Sequence, residues 1–141
     1  MMADASEVLC QHLQDNWSLS SPSKADIYWA KSKVEAIDFT KMGKNYVVAC
    51  YAPMTAANIR NIAKDVDLVE QNVMVDVLVK VVTSVSDAVS ARENMRGEVY
   101  RILKASVPSG FQDAYITREF NKVESPDLAR LSLQVILVSF A

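Results

Sequence analysis

The strongest constraint on the fold is a strand followed by a helix in residues 72–105. Valine occupies positions 73, 75, 77, 79 and 81, and a period of two is typical of a β-strand, whose alternate side chains point to opposite faces. One face of this strand is all valine. The other face is mixed and carries Met74, Asp76, Leu78 and Lys80. We expect the mixed face to be half exposed or to meet a partner.

A helix is predicted directly after this strand. Ser84 or Ser86 is expected to accept hydrogen bonds from the first helical turn, and Asp87 suits the positive end of the helix dipole. Apolar residues then return at helical spacing at Ala88, Met95, Val99, Ile102 and Leu103. The charged residues between them, Arg92, Glu93, Arg96, Glu98, Arg101 and Lys104, are typical of a solvated face. Pro108 and Gly110 are expected to end the helix.

The N-terminal half predicts a helix and a hairpin. Residues 1–16 are expected to be helical, with Asp4 as the N-cap and Glu7 completing a capping box. Residues 34–39 and Tyr46–Tyr51 are predicted to form the two strands of a hairpin, and residues 41–45 its turn, since Gly and Asn tolerate a tight reversal. Residues 52–71 form either a helical turn or two or an excursion before the valine strand.

The C-terminal third predicts two more strands, at residues 111–120 and Leu128–Phe140, with a polar connection at residues 121–127. The last strand has a wholly apolar face, as the valine strand does, so we expect both to lie under the helices in one sheet. The predicted fold is therefore α+β. It is one domain over residues 1–141, with a single mixed, mostly antiparallel sheet of four to five strands and two main helices packed on one face.

Composition narrows the class of protein. The 141 residues are enough for one domain with a real core. A net charge of −2 lacks the basic excess typical of nucleic-acid binders. Two cysteines, Cys10 and Cys50, cannot build a disulfide framework, and they favour a reduced compartment. We find no secretory signal and no apolar run that could span a bilayer, so we expect a soluble protein.

No residue cluster in the sequence predicts catalysis or metal binding. His12 is the only histidine and has no neighbouring ligand. Cys10 and Cys50 lack a nearby base or cation that would activate a thiolate, so small buried side chains are the better interpretation. An acidic group follows at Asp65, Asp67 and Glu70. Its spacing does not match a calcium-binding loop, and it favours a solvated loop or one that docks on a basic partner.

Tyr28 and Trp29 lie in a segment that is too polar for a core and too aromatic for an ordinary loop. Exposed aromatic side chains favour contact with another protein. The alternative is that both fold back on the core of the same chain, since exposed apolar groups are also common in monomers. The sequence leaves both alternatives open.

The order of elements resembles that of the tail terminator (tail completion) proteins of long-tailed bacteriophages and of related head–tail neck proteins. The segments that carry the resemblance are "NVMVDVLVKVVT", "ARENMRGEVYRILK", "AYITREF" and "RLSLQVILVSF". It covers most of the chain, and it is a likeness of layout. What it implies is a ring, commonly a hexamer, that caps the tail tube, stops its polymerisation and gives the head connector a docking surface.

The resemblance also implies partners and a location. The partners are other copies of the chain, the tail tube protein and the head connector or neck protein, while DNA only passes through the channel. It implies a place at the head–tail junction of the virion after synthesis in the host cytoplasm, with no membrane, cofactor or metal. Nine residues are predicted to make contacts in such a ring: Tyr28, Trp29, Lys41, Lys44, Asp65, Asp67, Glu70, Met74 and Leu78.

Two other classes of function compete with the ring subunit. The first is a small dimeric regulatory or ligand-binding α+β module, which would need a pocket with converging polar groups. The second is an enzyme, which would need an acid/base pair, a nucleophile with its partner, or a metal cluster. The sequence marks none of these, so we expect no enzymatic activity.

Overall fold

The computed structural model describes residues 4–20, 23–38, 40, 45–53, 57–63, 66–81, 84–125 and 128–140. The helices of this part of the chain are α1 (Ala5–Asn16), α2 (Lys33–Asp38) and α3 (Val85–Ala105), and a 3-10 turn covers Lys24–Asp26. The strands are β1 (Ile27–Trp29), β2 (Tyr46–Tyr51), β3 (Ala57–Ala63), β4 (Val66–Lys80), β5 (Asp113–Ser125) and β6 (Leu128–Phe140).

The strands form one sheet in the order β1-β2-β4-β6-β5. β2 pairs with residues 74–79 of β4, and β3 pairs with residues 66–71 of the same strand. β6 pairs with the opposite edge of β4, so β2 and β3 lie end to end and six strands fill five positions. β1 and β2 are parallel and the other pairs are antiparallel. The predicted α+β fold with a mixed, mostly antiparallel sheet is confirmed.

The predicted caps of the two main helices are present. The Asp4 carboxylate accepts a hydrogen bond from the Ser6 backbone N–H at 2.8 Å. The Ser84 hydroxyl accepts one from the Asp87 N–H at 3.1 Å, which selects Ser84 over Ser86 as the cap of α3. Each cap satisfies a backbone donor that has no partner within the helix.

Both main helices pack on the valine face of the sheet, as predicted. Most buried side chains of this helix-covered face come from two helices and two strands: Leu9 and Leu13 of α1, Met95, Val99 and Ile102 of α3, Val73, Val75, Val77 and Val79 of β4, and Leu131, Leu133, Val135 and Leu137 of β6. Strands β1, β2 and β5 add Ile27, Val48, Cys50 and Ala114. The strand period of two therefore places the valines and the leucines of neighbouring strands under the same pair of helices.

The predicted hairpin strand at residues 34–39 is wrong, because residues 33–38 form α2. The Ser32 hydroxyl accepts a hydrogen bond from the Glu35 N–H at 3.3 Å and starts this helix. α2 buries Ala36 and packs Ile37 against the opposite face of the sheet. Packing thus overrides the strand preference of the branched residues. The neighbour of β2 is instead β1, and turn residues 41–44 lie outside the described residues.

Two connections were also predicted wrongly. Within residues 52–71, β3 and the beginning of β4 form an antiparallel pair, so neither a helical turn nor a mere excursion describes this region. Residues 121–125, predicted as a polar connection, continue β5. Register shifts between Ile116 and Arg118 and between Val123 and Ser125 interrupt the alternation of β5. Such irregularities hide a strand from a search for strict alternation.

Candidate functional site

A pocket of about 620 Å³ opens on the second face of the sheet, beside the beginning of α2. Its lining comes from the beginning of α2 and the two residues before it, from the end of β2 and the two residues after it, and from strands β4, β5 and β6. These residues are Lys31, Ser32, Lys33, Val34, Tyr51, Ala52, Pro53, Met74, Phe120, Arg130 and Ser132. This volume lies in the range of small-molecule sites, and we name it the α2 pocket.

A buried polar network lies at the floor of the α2 pocket, centred on Asp76. The Asp76 carboxylate has no exposed surface. It accepts hydrogen bonds from the Tyr51 hydroxyl at 3.0 Å and from the Ser132 hydroxyl at 2.6 Å. The Arg130 guanidinium lies 3.5 Å from the same carboxylate, and the Arg130 side chain is 4% exposed. Buried charges are stable only when they are paired in this way.

Strand register explains why these residues meet. Asp76 of β4 lies opposite Ser132 of β6 and opposite Ala49 of β2. Arg130 lies two residues before Ser132 and therefore points to the same face. Burial raises the pKa of Asp76, and the hydrogen bond from Ser132 and the charge of Arg130 counteract that rise only in part.

The charge of the α2 pocket is positive. Lys31 and Lys33 are exposed at its mouth, and Arg130 lies at its floor. The described lining residues include no carboxylate; Asp76 lies behind them. Apolar walls complete the pocket, from Val34, Ala52, Pro53, Met74 and Phe120. An apolar cavity with cations on one side suits an anionic group on an apolar body.

A second buried carboxylate joins the end of α1 to α3. Glu98 accepts hydrogen bonds from the Ser18 N–H at 2.5 Å and hydroxyl at 2.6 Å, and from Arg101 Nε at 2.6 Å. Burial alone would raise the pKa of Glu98, but the bonds from Arg101 and Ser18 outweigh burial and lower that pKa to about 2. The sequence placed Glu98 on a solvated face, which is wrong, and its role here is to fix the two helices.

A third charged cluster is exposed and joins α3 to β5. Glu119 accepts hydrogen bonds from Arg96 Nε at 2.5 Å and from the Tyr100 hydroxyl at 2.9 Å. The Arg96 guanidinium also lies 4.7 Å from the centroid of the Tyr100 ring. Exposed pairs of this kind contribute little free energy, so this cluster orients side chains on the surface more than it stabilises the fold.

The two cysteines and His12 make hydrogen bonds to other side chains of the same chain. Cys10 of α1 and Cys50 of β2 are buried free thiols. Their mutual hydrogen bond, together with burial, raises the pKa of the Cys50 thiol well above its ordinary value. His12 lies on α1, with its Nε2 3.1 Å from the Ser106 hydroxyl. Cys50 is therefore not an activated nucleophile, because activation requires a lowered pKa. The same hydrogen bond lowers the pKa of the Cys10 thiol, which is itself buried.

The structure separates Tyr28 from Trp29. They are adjacent in β1, so their side chains point to opposite faces of the sheet. Tyr28 is half-buried and packs against the apolar cluster under α2. Trp29 is 42% exposed on the helix side, and its indole N–H donates to the Ser6 hydroxyl at 2.8 Å. The sequence left open whether both residues are exposed or both pack on the core. In the structure Tyr28 packs against the core, and Trp29 is partly exposed at the surface.

The other predicted contact residues are scattered. Met74 is half-buried and lines the α2 pocket, whereas Leu78 is fully buried within the chain under α2. The mixed face of the valine strand is thus covered at Leu78 by the chain itself. Glu70 is half-buried in β4. Lys41, Lys44, Asp65 and the side chain of Asp67 lie outside the described residues.

The sequence interpretation missed most of the α2 pocket. Tyr51, Arg130 and Ser132 were predicted only as parts of strands, and Lys31 and Lys33 were given no role. One signal was present. Asp76 lies inside the otherwise apolar run of residues 73–79, and Arg130 is the one charged residue of β6. Charges of this kind are almost never fully buried unless they are paired.

No protein-family model matches the chain, and no curated protein matches it either. In the described ranges, no group of three histidine, cysteine or acidic side chains could hold a metal ion. The helices of those ranges include none that is long and apolar enough to cross a membrane. Function is therefore inferred from the fold, the surfaces and the α2 pocket.

Proposed function

We propose that the protein is a virion structural protein: a ring-forming tail terminator or head–tail connector (neck) subunit that caps the tail tube and provides the docking surface for the head. The order of β4, α3, β5 and β6, the part of the chain that carries the resemblance, supports this proposal. Its partners are other copies of the chain, arranged in a closed ring and not in a two-fold pair, together with the tail tube protein and the head connector.

The observation that carries the proposal is that the two edges of the sheet are unlike. β5 is a 13-residue edge strand, with Tyr115 and Phe120 about two-fifths exposed. The opposite edge has the three-residue β1, with exposed Trp29. A ring closes through a heterologous interface, in which two different patches of the subunit meet. Edge strands and exposed aromatic side chains are suited to such contacts.

A ring at the head–tail junction must let DNA pass without holding it. The net charge of −2 supports this requirement, because strong DNA binding depends on a large basic excess. The predicted contacts of Lys41, Lys44 and the acidic residues at 65–70 with neighbouring rings remain part of the proposal. Catalysis, cofactors and metals have no part in it.

The test is the native mass of the purified protein, measured together with electron microscopy of the same sample and of particles from its source. We expect a closed ring, or density at the head–tail junction. Trp29→Ser and Tyr115→Ser each remove an exposed aromatic group at one edge and should reduce ring formation. Val89→Ser, on the exposed face of α3, is the matched control and should leave the ring intact.

Folding must be checked in each variant by thermal unfolding. A cooperative transition together with loss of the ring supports an interface role for Trp29 and Tyr115. A protein that remains monomeric or dimeric and is absent from every particle would overturn the proposed function. In that case the fold would stand unchanged.

A second candidate function is a small dimeric regulatory or ligand-binding module. The α2 pocket favours it, because the pocket combines apolar walls with converging polar groups. The same mass measurement separates the two candidates, since a ligand-binding module of this kind would give a dimer and no ring.

A further inference from the structure

We propose that the α2 pocket binds a small organic acid: a carboxylate carried on an apolar body. This inference goes beyond the ring function and does not depend on it. It rests on the charge of the pocket lining, on the buried network that fixes its floor, and on its apolar walls.

The charge of the lining selects an anion. Lys31, Lys33 and Arg130 contribute three cations, and the described lining contributes no carboxylate. Asp76 lies behind the floor and offsets part of the charge of Arg130. Asp76 also interacts electrostatically with Lys33 at the mouth, so this one carboxylate offsets the three cations only in part. Coulombic attraction is strongest where apolar walls exclude water, so an anion gains most when it enters between these walls.

The floor of the pocket is fixed before a ligand arrives. Asp76 holds the hydroxyl groups of Tyr51 and Ser132 by hydrogen bonds and the guanidinium of Arg130 by its charge. These three lining residues are nearly fully buried. A preorganised site loses little conformational freedom on binding, and this improves affinity.

The walls select the rest of the ligand. Met74 and Phe120 line the cavity from β4 and β5, and Val34 and Pro53 add apolar surface from α2 and from the segment after β2. A strongly hydrated anion such as free phosphate would lose its hydration against these walls without replacement. A monovalent carboxylate on an alkyl or aryl body instead buries apolar area and leaves its charge near the lysines.

The first test compares two molecules that share the same apolar body. Octanoate and octan-1-ol are titrated into the purified full chain, and binding is measured by calorimetry. We expect octanoate to bind at least about tenfold more tightly than octan-1-ol, and its affinity to fall as salt is added. Equal affinity for the two molecules, or no binding of octanoate, would overturn the proposal.

Two sets of variants locate the site. Lys31→Glu/Lys33→Glu reverses the charge at the mouth and should weaken octanoate binding by about tenfold or more. Lys104→Glu, at the end of α3, is the matched control and should leave the affinity unchanged. Met74→Trp fills the cavity and should abolish binding, whereas Val89→Trp adds the same side chain at an exposed site and should not.

Octanoate binding that survives both the charge reversal and Met74→Trp would place the site elsewhere and refute the assignment. Ring formation is measured on the same samples, independently of the titration. If the unchanged chain forms a ring but does not bind octanoate, the pocket proposal is refuted and the ring function stands. If it binds octanoate but forms no ring, the ring function is refuted and the pocket proposal stands. The charge-reversed variant keeps the test valid if Met74→Trp does not fold.

Discussion

The two faces of the sheet are built in different ways. The helix-covered face lies under the two long helices, and a large apolar cluster takes side chains from all the strands beneath them except β3. Its buried carboxylate, Glu98, belongs to α3 and lies outside the strands. The second face is covered by α2, a helix of six residues, and by small side chains such as Ala30 and Ala36. It also holds Asp76 and Arg130, two buried charges.

The two faces therefore contribute differently: the helix-covered face supplies most of the folding stability, and the second face holds the candidate site. Burial of apolar surface is the dominant favourable term in folding, and most of it lies on the helix-covered face. Buried charges contribute little net stability, since desolvation offsets their attraction. This chain nevertheless keeps a charged network under a short helix, although a stable core is normally built from apolar side chains. Such departures are expected at functional sites, and the α2 pocket lies at this one.

The largest expected loss of stability comes from a substitution that breaks the charged network of the second face. Asp76→Leu leaves the Arg130 guanidinium buried without its carboxylate and should lower the free energy of unfolding by about 4 kcal/mol. Urea denaturation measures the loss. The double variant Asp76→Leu/Arg130→Met removes both charges and should recover most of it. If the double variant is as unstable as the single one, charge pairing is not the reason for the loss.

A somewhat smaller effect is expected on the helix-covered face. Leu133→Ala leaves a cavity between β6 and the helices and should cost about 3 kcal/mol in urea denaturation. Met74→Ala on the second face truncates a half-buried side chain that borders the open pocket, and it should cost about 1 kcal/mol. Equal losses for Leu133 and Met74 would contradict the division of roles between the two faces.

The sequence predicted the helix-covered face well and the second face poorly. Val73, Val77 and Leu133 obey a strict period of two, and helical spacing marks α3, so these elements follow from local pattern alone. α2 could not be found in this way. Its branched residues favour a strand, whereas the Ser32 cap and the packing of Ala36 and Ile37 against the sheet favour the helix.

The candidate site was predictable only in part. Asp76 was noticed as part of a mixed face, but its partners Tyr51 and Arg130 are distant in sequence and meet through the register of three strands. The pairing register of strands that are distant in sequence depends on the tertiary fold and cannot be predicted from local patterns in a single sequence. Glu98 was misplaced for a similar reason, since its partner Ser18 lies 80 residues away.

The smallest expected effect is a difference in pH dependence between the two faces. The pKa of Glu98 is about 2 in the fold, against an ordinary value of 4.5, so its stabilising contribution is present above pH 4.5 and is lost as the pH falls towards 2. Asp76 behaves in the opposite way. Burial raises its pKa above the ordinary 3.8, so the unfolded chain ionises first and stability falls as the pH rises through that region.

Two variants separate these opposite contributions. Glu98→Gln should cost about 1.5 kcal/mol at pH 7, because its bonds from Arg101 and Ser18 lose the carboxylate charge. It should also flatten the decline in the free energy of unfolding between pH 4.5 and 2. Asp76→Asn removes the opposite slope, so stability should then rise more steeply from pH 3.8 upwards than in the unchanged chain. Urea denaturation across this pH range measures both slopes, and the same slope in all three proteins would mean that neither buried carboxylate distinguishes the two faces.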